Sequence, residues 1–262
     1  ENYYSREDYE RAHGTDDFDG YWGIWDEPFL QYMGLTLNST PQPFFASVFT
    51  LTSHHPFVVP DQYKEVLPAG KTKVHKGVAY TDLAIRHFME AASKQPWYRN
   101  TIFVFVADHV SSETFAPKTL TPTGNSHIIC LLYTPDGALK GADTRVTQQI
   151  DLMPTLLGLV GYDRPYFAFG RDVLRENDRP AMAVNRMGEN YQAITDSLVL
   201  FFDGHKTLSA YTRADTLQKH NIAVQTTPAL EQVERDLKAR LQQYYQHVEK
   251  SDYLVKEHNE KL

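Results

Sequence analysis

The sequence is poor in cysteine, in basic residues and in long apolar runs, and each shortage excludes a class of protein. One cysteine in 262 residues excludes a disulfide framework and a zinc site built from cysteines. The 26 Lys and Arg residues are outnumbered by 33 Asp and Glu, and the net charge of -7 argues against a nucleic-acid-binding protein. The apolar stretches, such as residues 102–107 and 128–133, are too short to cross a bilayer.

Apolar and aromatic residues are abundant, as a folded core requires. They make up 42% and 13% of the chain, a composition that disfavours disorder. A length of 262 residues corresponds to one large domain or two ordinary ones. The sequence starts at Glu1 without a methionine or an apolar signal segment, so we expect it to be a piece of a longer protein.

Three apolar runs predict buried strands, at residues 44–51, 101–107 and 128–134. The last two do not alternate between apolar and polar residues, which is typical of parallel strands covered on both faces. Apolar residues at helical spacing predict helices at about residues 27–37, 72–94, 148–161 and 228–253. The sequence therefore predicts an α/β fold with a mostly parallel central sheet flanked by helices.

The pattern changes after residue 175, where short strand-like segments alternate with turns. Strands are predicted at residues 181–185, 192–195, 197–202 and 207–211, with Asp203-Gly204 as a hairpin turn. We therefore expect residues 1–175 to form the α/β core. Residues 176–262 should form a small antiparallel appendage and the long C-terminal helix of the same unit.

Two adjacent polar residues, Asp108 and His109, follow the predicted strand at residues 101–107. The carboxyl ends of strands in α/β sheets carry ligand sites, and a carboxylate beside a neutral imidazole suits a divalent ion. The same dipeptide also suits a capped loop or a hydrogen-bonded turn, and the spacing leaves both interpretations open. As a metal site, the pair is two ligands short of the usual four.

Three other residues are candidates for chemistry or for structure. His54 follows the predicted strand at residues 44–51, so we expect it to share a ligand pocket with Asp108, although it also suits a packed or solvated position. His127 precedes the predicted strand at residues 128–134. This position suits a metal ligand, an anion contact or a structural residue at the start of the strand. Asp151 is expected to cap the helix that Pro154 opens. The sequence contains none of the common nucleophile motifs.

Four segments together resemble the C-terminal part of the sulfatase-like domain of the lipoteichoic acid synthase family, in the alkaline phosphatase superfamily. They are FASVFTLTSHHPF at residues 45–57, FVADH at 105–109, QIDLMPTLL at 149–157 and FGRDVL at 169–174. Their order and spacing make the resemblance specific, and it covers roughly residues 1 to 215.

The resemblance implies roles for individual residues. It makes Asp108 and His109 ligands of a divalent cation, with Mn²⁺ first and Zn²⁺, Mg²⁺ or Ca²⁺ as alternatives. It makes His54 a contact of the phosphate-like group of the substrate, and it leaves His127 as a second metal ligand or an anion contact. The family's other metal ligand Glu and its nucleophilic Thr are expected upstream of Glu1, so this chain alone is expected to be inactive.

The resemblance also implies an activity and a location. We expect part of a metal-dependent enzyme that acts on phosphate or sulfate esters, as a phosphoglycerol transferase or a hydrolase. Its partners would be an anionic ester substrate and the N-terminal half of the same protein, and it would not bind nucleic acid. Spanning helices absent from this chain would hold it at the extracytoplasmic face of the membrane. The alternative is a catalytically silent module that binds anionic ligands or serves as an interaction domain.

Overall fold

A computed structural model describes residues 2–175 and 180–255. The chain forms two compact units. The first contains residues 1–116 and 127–141, and the second contains residues 117–126 and 142–262. The predicted boundary between residues 175 and 176 borders residues outside the described ranges, and it stays a prediction.

The first unit contains three helices: α1 (Arg6–His13), α2 (Asp26–Asn38) and α3 (Lys73–Ala92). Helix α1 begins with a capping box between Ser5 and Asp8. Helices α2 and α3 pack together because their apolar faces form a common core. The buried residues of this core are Leu30, Leu37, Ala84, Phe88, Ala92, Trp97 and Phe103. The helices predicted at residues 27–37 and 72–94 are confirmed.

Two strands of the first unit, β1 (Phe103–Val106) and β2 (Cys130–Tyr133), form a two-stranded sheet. Both strands were expected, but the expected parallel arrangement is wrong for this pair, because the pairing is antiparallel, with Val106 opposite Cys130. A parallel return needs a crossover element, usually a helix. The helical elements in the connection between these strands are two short 3₁₀ turns, Pro117–Leu120 and Gly124–Ser126, and neither is an α-helix.

The predicted strand at residues 44–51 is also wrong, since these residues belong to no strand of the structure. The backbone N–H groups of Leu51 and Thr52 are bound by the side chain of Asp26 rather than by a neighbouring strand. Phe45 and Phe49 point outward, with 88% and 65% of their surface exposed. The apolar composition of this run therefore does not reflect burial on both faces.

The second unit contains helix α4 (Leu152–Leu159) and a four-stranded antiparallel sheet whose strands are hydrogen-bonded in chain order. Its strands are β3 (Met182–Met187), β4 (Asn190–Thr195), β5 (Leu198–Phe202) and β6 (Thr207–Thr212). Helix α5 (Pro228–Lys250) packs on this sheet through its apolar face. The shared core includes Met182, Leu200, Phe202, Leu230, Val233 and Leu237. The antiparallel appendage and the long C-terminal helix are therefore confirmed.

Candidate metal and anion site

Asp108 and His109 lie directly beyond the end of β1. The backbone N–H of Ala107 donates to the carbonyl of Ile129, so the sheet is paired up to the residue before Asp108. The Asp108 carboxylate then accepts a hydrogen bond from the backbone N–H of His109, at 2.9 Å. Both side chains are exposed, which leaves the pair accessible to a ligand.

The orientation of the His109 ring suits metal binding. Its Nδ1 lies 2.7 Å from the carbonyl oxygen of Val110 and must donate, because a carbonyl can only accept. In the neutral ring, the lone pair is then on Nε2, which lies 3.4 Å from Asp108 Oδ2. Two ligands at about 2.1 Å from one tetrahedral ion are about 3.4 Å apart, so these two atoms fit a shared divalent ion. A backbone carbonyl behind a ligating histidine is the usual second partner of such a ring.

By itself the pair would be an incomplete coordination shell. Within the described ranges, no three His, Cys, Asp or Glu side chains come together in a group that could hold a metal ion. As metal ligands, Asp108 and His109 would supply two positions of a usual four or more. Their role as ligands, and the identity of the metal, stay predictions.

The antiparallel pairing brings His127 to the same edge of the sheet as Asp108. Because Val106 lies opposite Cys130, the start of β2 is beside the end of β1, and the residues before β2 face those after β1. His127 is exposed in the segment that leads into β2. The role of His127 as a second metal ligand or an anion contact, which the family resemblance implies, stays a prediction.

His54 lies in a turn rather than at the end of a strand. Its backbone N–H donates to the carbonyl of Leu51, and its own carbonyl accepts from Phe57. The imidazole is exposed and lies against the indole of Trp22, with ring centroids 4.2 Å apart. His54 and Asp108 belong to the same compact unit, and their convergence on one substrate stays a prediction.

Asp26 holds the turn that carries His54, a role that sequence reasoning missed. Asp26 is the first residue of α2 and is buried. Its Oδ1 accepts from the backbone N–H groups of Leu51 and Thr52, at 2.8 and 3.0 Å. Its Oδ2 accepts from the Thr81 hydroxyl of α3, at 2.6 Å. One carboxylate thus ties the 51–57 segment to both main helices of the unit.

Glu27 organises a second polar group beside Asp26. Its carboxylate accepts from the Tyr63 hydroxyl at 2.6 Å and lies 2.6 Å from His87 Nδ1. The hydrogen bond to Glu27, followed by burial, raises the pKa of Tyr63 to about 12. Burial raises the pKa of Tyr80, which packs against Tyr63. These contacts fix the segment between the His54 turn and α3.

Titration of Tyr63 is a direct test of this arrangement. The difference between the ultraviolet titrations of the wild type and Tyr63→Phe should show Tyr63 ionising near pH 12 rather than at the ordinary value of 10.0. Because the folded-state pKa is raised, the stabilisation is present below the ordinary value and is lost as pH rises through the raised one. A Tyr63 transition at the ordinary value would contradict the hydrogen bond to Glu27.

A cavity of about 410 Å³ lies beside Phe57, the last residue of the His54 turn. It is lined by Lys71, Lys73 and Lys76 around the start of α3. Lys76 Nζ donates to the carbonyl of Lys64, and Lys71 lies over the ring of Phe115. The local excess of cationic side chains favours anionic ligands near this turn.

Asp151, in the second unit, has a structural role, but not the predicted one: it lies at the N-cap position of the helix that contains Pro154 and makes no side-chain cap hydrogen bond to it. The side chain of Asp151 is buried. Its Oδ2 accepts a hydrogen bond from the backbone N–H of Gln148, which forms a capping box at the 3₁₀ turn Gln149–Asp151. This turn lies just before α4 (Leu152–Leu159). Its Oδ1 accepts from the backbone N–H of Arg171, at 2.8 Å. The segments at residues 149–157 and 169–174 therefore hold each other in place, and their polar side chains serve the fold.

Comparison with solved structures defines the class of fold. A protein in the alkaline phosphatase superfamily from Vibrio parahaemolyticus matches with a TM-score of 0.76 and 26% identity, over 94% of this chain and 60% of that chain. The structure of Ps i-CgsB matches with a TM-score of 0.59 over 91% of this chain and 63% of that chain, at 16% identity, and supports the fold alone. The fold is that of the alkaline phosphatase superfamily, and the predicted α/β class is confirmed.

The sulfatase family model matches residues 1–162, and the chain belongs to this family. The lipoteichoic acid synthase-like protein YvgJ of Bacillus subtilis is 29% identical over 187 residues, 64% of this chain and 30% of that protein. Lipoteichoic acid synthase 1 of the same organism is 27% identical, over 62% of this chain and 28% of that protein. An arylsulfatase of Clostridium perfringens is 27% identical, over 44% of this chain and 26% of that protein.

These comparisons confirm the resemblance to lipoteichoic acid synthases inferred from the four segments. The chain spans less than a third of the length of these curated relatives, so their complete activities cannot be assigned to it directly. Within the described residues, no helix has both the length and the hydrophobicity that a membrane span requires.

Proposed function

We propose that this chain is part of a metal-dependent enzyme that transfers or hydrolyses phosphate or sulfate esters. Phosphoglycerol transfer of the lipoteichoic acid synthase type is the first choice of reaction, at the extracytoplasmic face of the membrane. The observation that carries the proposal is the Asp108–His109 pair, whose Oδ2 and Nε2 atoms lie 3.4 Å apart beyond β1 in a chain of the sulfatase family.

Each candidate residue has a distinct task in this proposal. Asp108 and His109 would hold the divalent cation, with the Val110 carbonyl fixing the ring of His109. When bound, the cation supplies Lewis-acid stabilisation of negative charge on the ester. A protonated His54 would donate from Nε2 to an anionic oxygen of the substrate, and it is exposed on a turn that Asp26 holds in place. The cationic side chains beside Phe57 favour the approach of an anionic ester.

A catalytically silent member of the family is the second candidate. The observation that favours it is the absence of a group of three or more metal-ligating side chains within residues 2–175 and 180–255. Such a module would use His54 and the lysine-lined cavity to bind an anionic polymer without turnover. Metal binding separates the two candidates, because the silent module has no need of a cation at Asp108.

The test measures metal content and turnover of the full-length protein with Asp108→Ala. We expect the wild type to retain one equivalent of Mn²⁺ or more after dialysis, and the variant to lose about 100-fold or more in metal affinity and in turnover. Turnover is compared on a glycerophosphodiester, 4-nitrophenyl phosphate and 4-nitrophenyl sulfate, which separates transferase-like from sulfatase-like specificity.

Asp82→Ala is the matched control for this test. Asp82 is an exposed carboxylate of α3 in the same unit, 3.9 Å from Arg86, and its loss should leave metal content and turnover unchanged. Stoichiometric metal with equal affinity in the wild type and Asp108→Ala would contradict the assignment of the ligands. A wild type that binds no metal and turns over none of the three esters would favour the silent module.

A further inference from the structure

Trp22 is an exposed aromatic residue that lies against His54. Its indole ring centroid is 4.2 Å from that of the imidazole, with the ring planes tilted by 60°. It leaves 54% of its own surface exposed, so it buries less apolar surface than a tryptophan in the core would. The contact joins two separate segments of the first unit, the loop that contains Trp22 and the turn that contains His54.

One carbonyl oxygen fixes both rings. Trp22 Nε1 donates to the carbonyl oxygen of His55 at 2.7 Å, and His54 Nδ1 lies 3.0 Å from the same oxygen. Because a carbonyl can only accept, Nδ1 carries a proton, and Nε2 is the His54 nitrogen left to face a ligand. The indole ring packs against the imidazole and therefore supports the orientation in which His54 Nδ1 donates to this carbonyl.

The loop that presents Trp22 is held by a carboxylate. Oδ1 of the buried Asp19 accepts from three consecutive backbone N–H groups, those of Tyr21, Trp22 and Gly23, at 2.8, 2.8 and 3.1 Å. The backbone N–H of Asp19 donates in turn to the carbonyl of Gly23, at 2.9 Å. A loop closed by four hydrogen bonds presents its side chain with little conformational freedom, as a positioning role requires.

We infer that Trp22 is a positioning residue that holds the imidazole of His54 with Nε2 directed at the anionic group of the substrate. This inference rests on the proposed function, which gives His54 its contact with the ester. It adds a second element to the candidate site, the Asp19–Gly23 loop. Trp22 itself has no chemical step in the reaction.

The first test is spectroscopic and does not depend on activity. In the full-length protein with ¹⁵N-labelled histidine, the neutral His54 should show the Nδ1–H tautomer, and Trp22→Ala should shift it toward Nε2–H. Trp22→Phe keeps an aromatic ring against the imidazole and should keep the wild-type tautomer. Tyr21→Ala, on the same loop and at an exposed side chain, is the matched control and should also keep it. An unchanged tautomer in Trp22→Ala would overturn the inference.

The second test is kinetic. Trp22→Ala should lower kcat/KM by about three- to tenfold, the range expected for loss of an aromatic pair, while Trp22→Phe should recover most of the activity. In a His54→Ala background, Trp22→Ala should cause no further loss, because it acts through the imidazole. A full additional loss in the double variant would show a merely structural role and overturn the inference.

The two tests separate failure of this inference from failure of the proposed function. If His54→Ala retains full activity, the role of His54 in the proposed function is wrong. The tautomer of His54, measured in the wild type and in Trp22→Ala, would still report on its contact with Trp22. If His54→Ala is inactive and Trp22→Ala keeps both the wild-type tautomer and the wild-type activity, the proposed function stands and the inference is wrong. The melting temperature of Trp22→Phe, which we expect to equal that of the wild type, tests whether the protein remains folded when the Nε1 donor is removed.

Discussion

Asp26→Ala should destabilise the first unit by about 3–5 kcal/mol, because the variant removes the acceptor of three hydrogen bonds. The backbone N–H groups of Leu51 and Thr52 and the hydroxyl of Thr81 would lose their partner; Thr52 is buried, and Leu51 and Thr81 are half-buried. Each buried donor left unpaired costs about 1–3 kcal/mol. Urea denaturation monitored by circular dichroism measures the loss.

Two variants control this result. Asp26→Asn keeps one carbonyl oxygen for Leu51 and Thr52 and loses the acceptor for Thr81, so it should cost about 1–2 kcal/mol. Asp82→Ala removes an exposed carboxylate of α3 and should change the free energy of unfolding by less than about 0.5 kcal/mol. If Asp26→Ala were as stable as Asp82→Ala, the bridging role of Asp26 would be refuted.

Gly170→Ala should destabilise the second unit by about 3 kcal/mol, since a Cβ at this position would overlap the carbonyl of Ile150. Relief of the overlap requires the backbone to move, and the adjacent N–H of Arg171 would then leave Asp151 Oδ1, now 2.8 Å away. Thermal unfolding of the full-length protein, followed by calorimetry, detects the change as a lowered Tm.

Gly34→Ala is the matched control, because it makes the same chemical change inside α2. A Cβ at Gly34 would lie 3.5 Å from the ring of Phe88, an ordinary contact, and alanine favours a helix over glycine by about 1 kcal/mol. This variant should be neutral or more stable than the wild type. Equal effects of the two substitutions would contradict the close packing of Gly170 against Ile150.

Helices α2, α3 and α5 and the four-stranded antiparallel sheet could be predicted from sequence because local signals agree there with the tertiary structure. Helix α5 combines a Thr227 cap, Pro228 in its first turn and a continuous apolar face. The Asp203 turn was equally visible, since its carboxylate binds the N–H groups of His205 and Lys206. Each of these features depends on residues that are close together in the sequence.

Strand direction and the role of Asp26 could not be predicted, because both depend on distant partners. The runs at residues 101–107 and 128–134 have the composition of strands, but composition does not encode whether they pair parallel or antiparallel. Asp26 precedes an apolar helical stretch and so matches a cap, whereas its partners Leu51 and Thr81 are 25 and 55 residues away. At the site, Asp108 and His54 were visible as residues, but the contact of His54 with Trp22 was not.

The hydrogen bonds and close packing between residues 149–157 and 169–174 have a consequence for assigning function to related sequences. These segments helped to identify the chain, yet Asp151 and Gly170 contribute to packing and hydrogen bonding within the second unit. A descendant that lost Asp108 would keep both segments as long as it stayed folded. Such a protein would still be recognised as a relative. The proposed metal ligands Asp108 and His109, rather than these two segments, should therefore be checked before a relative is assigned the proposed activity.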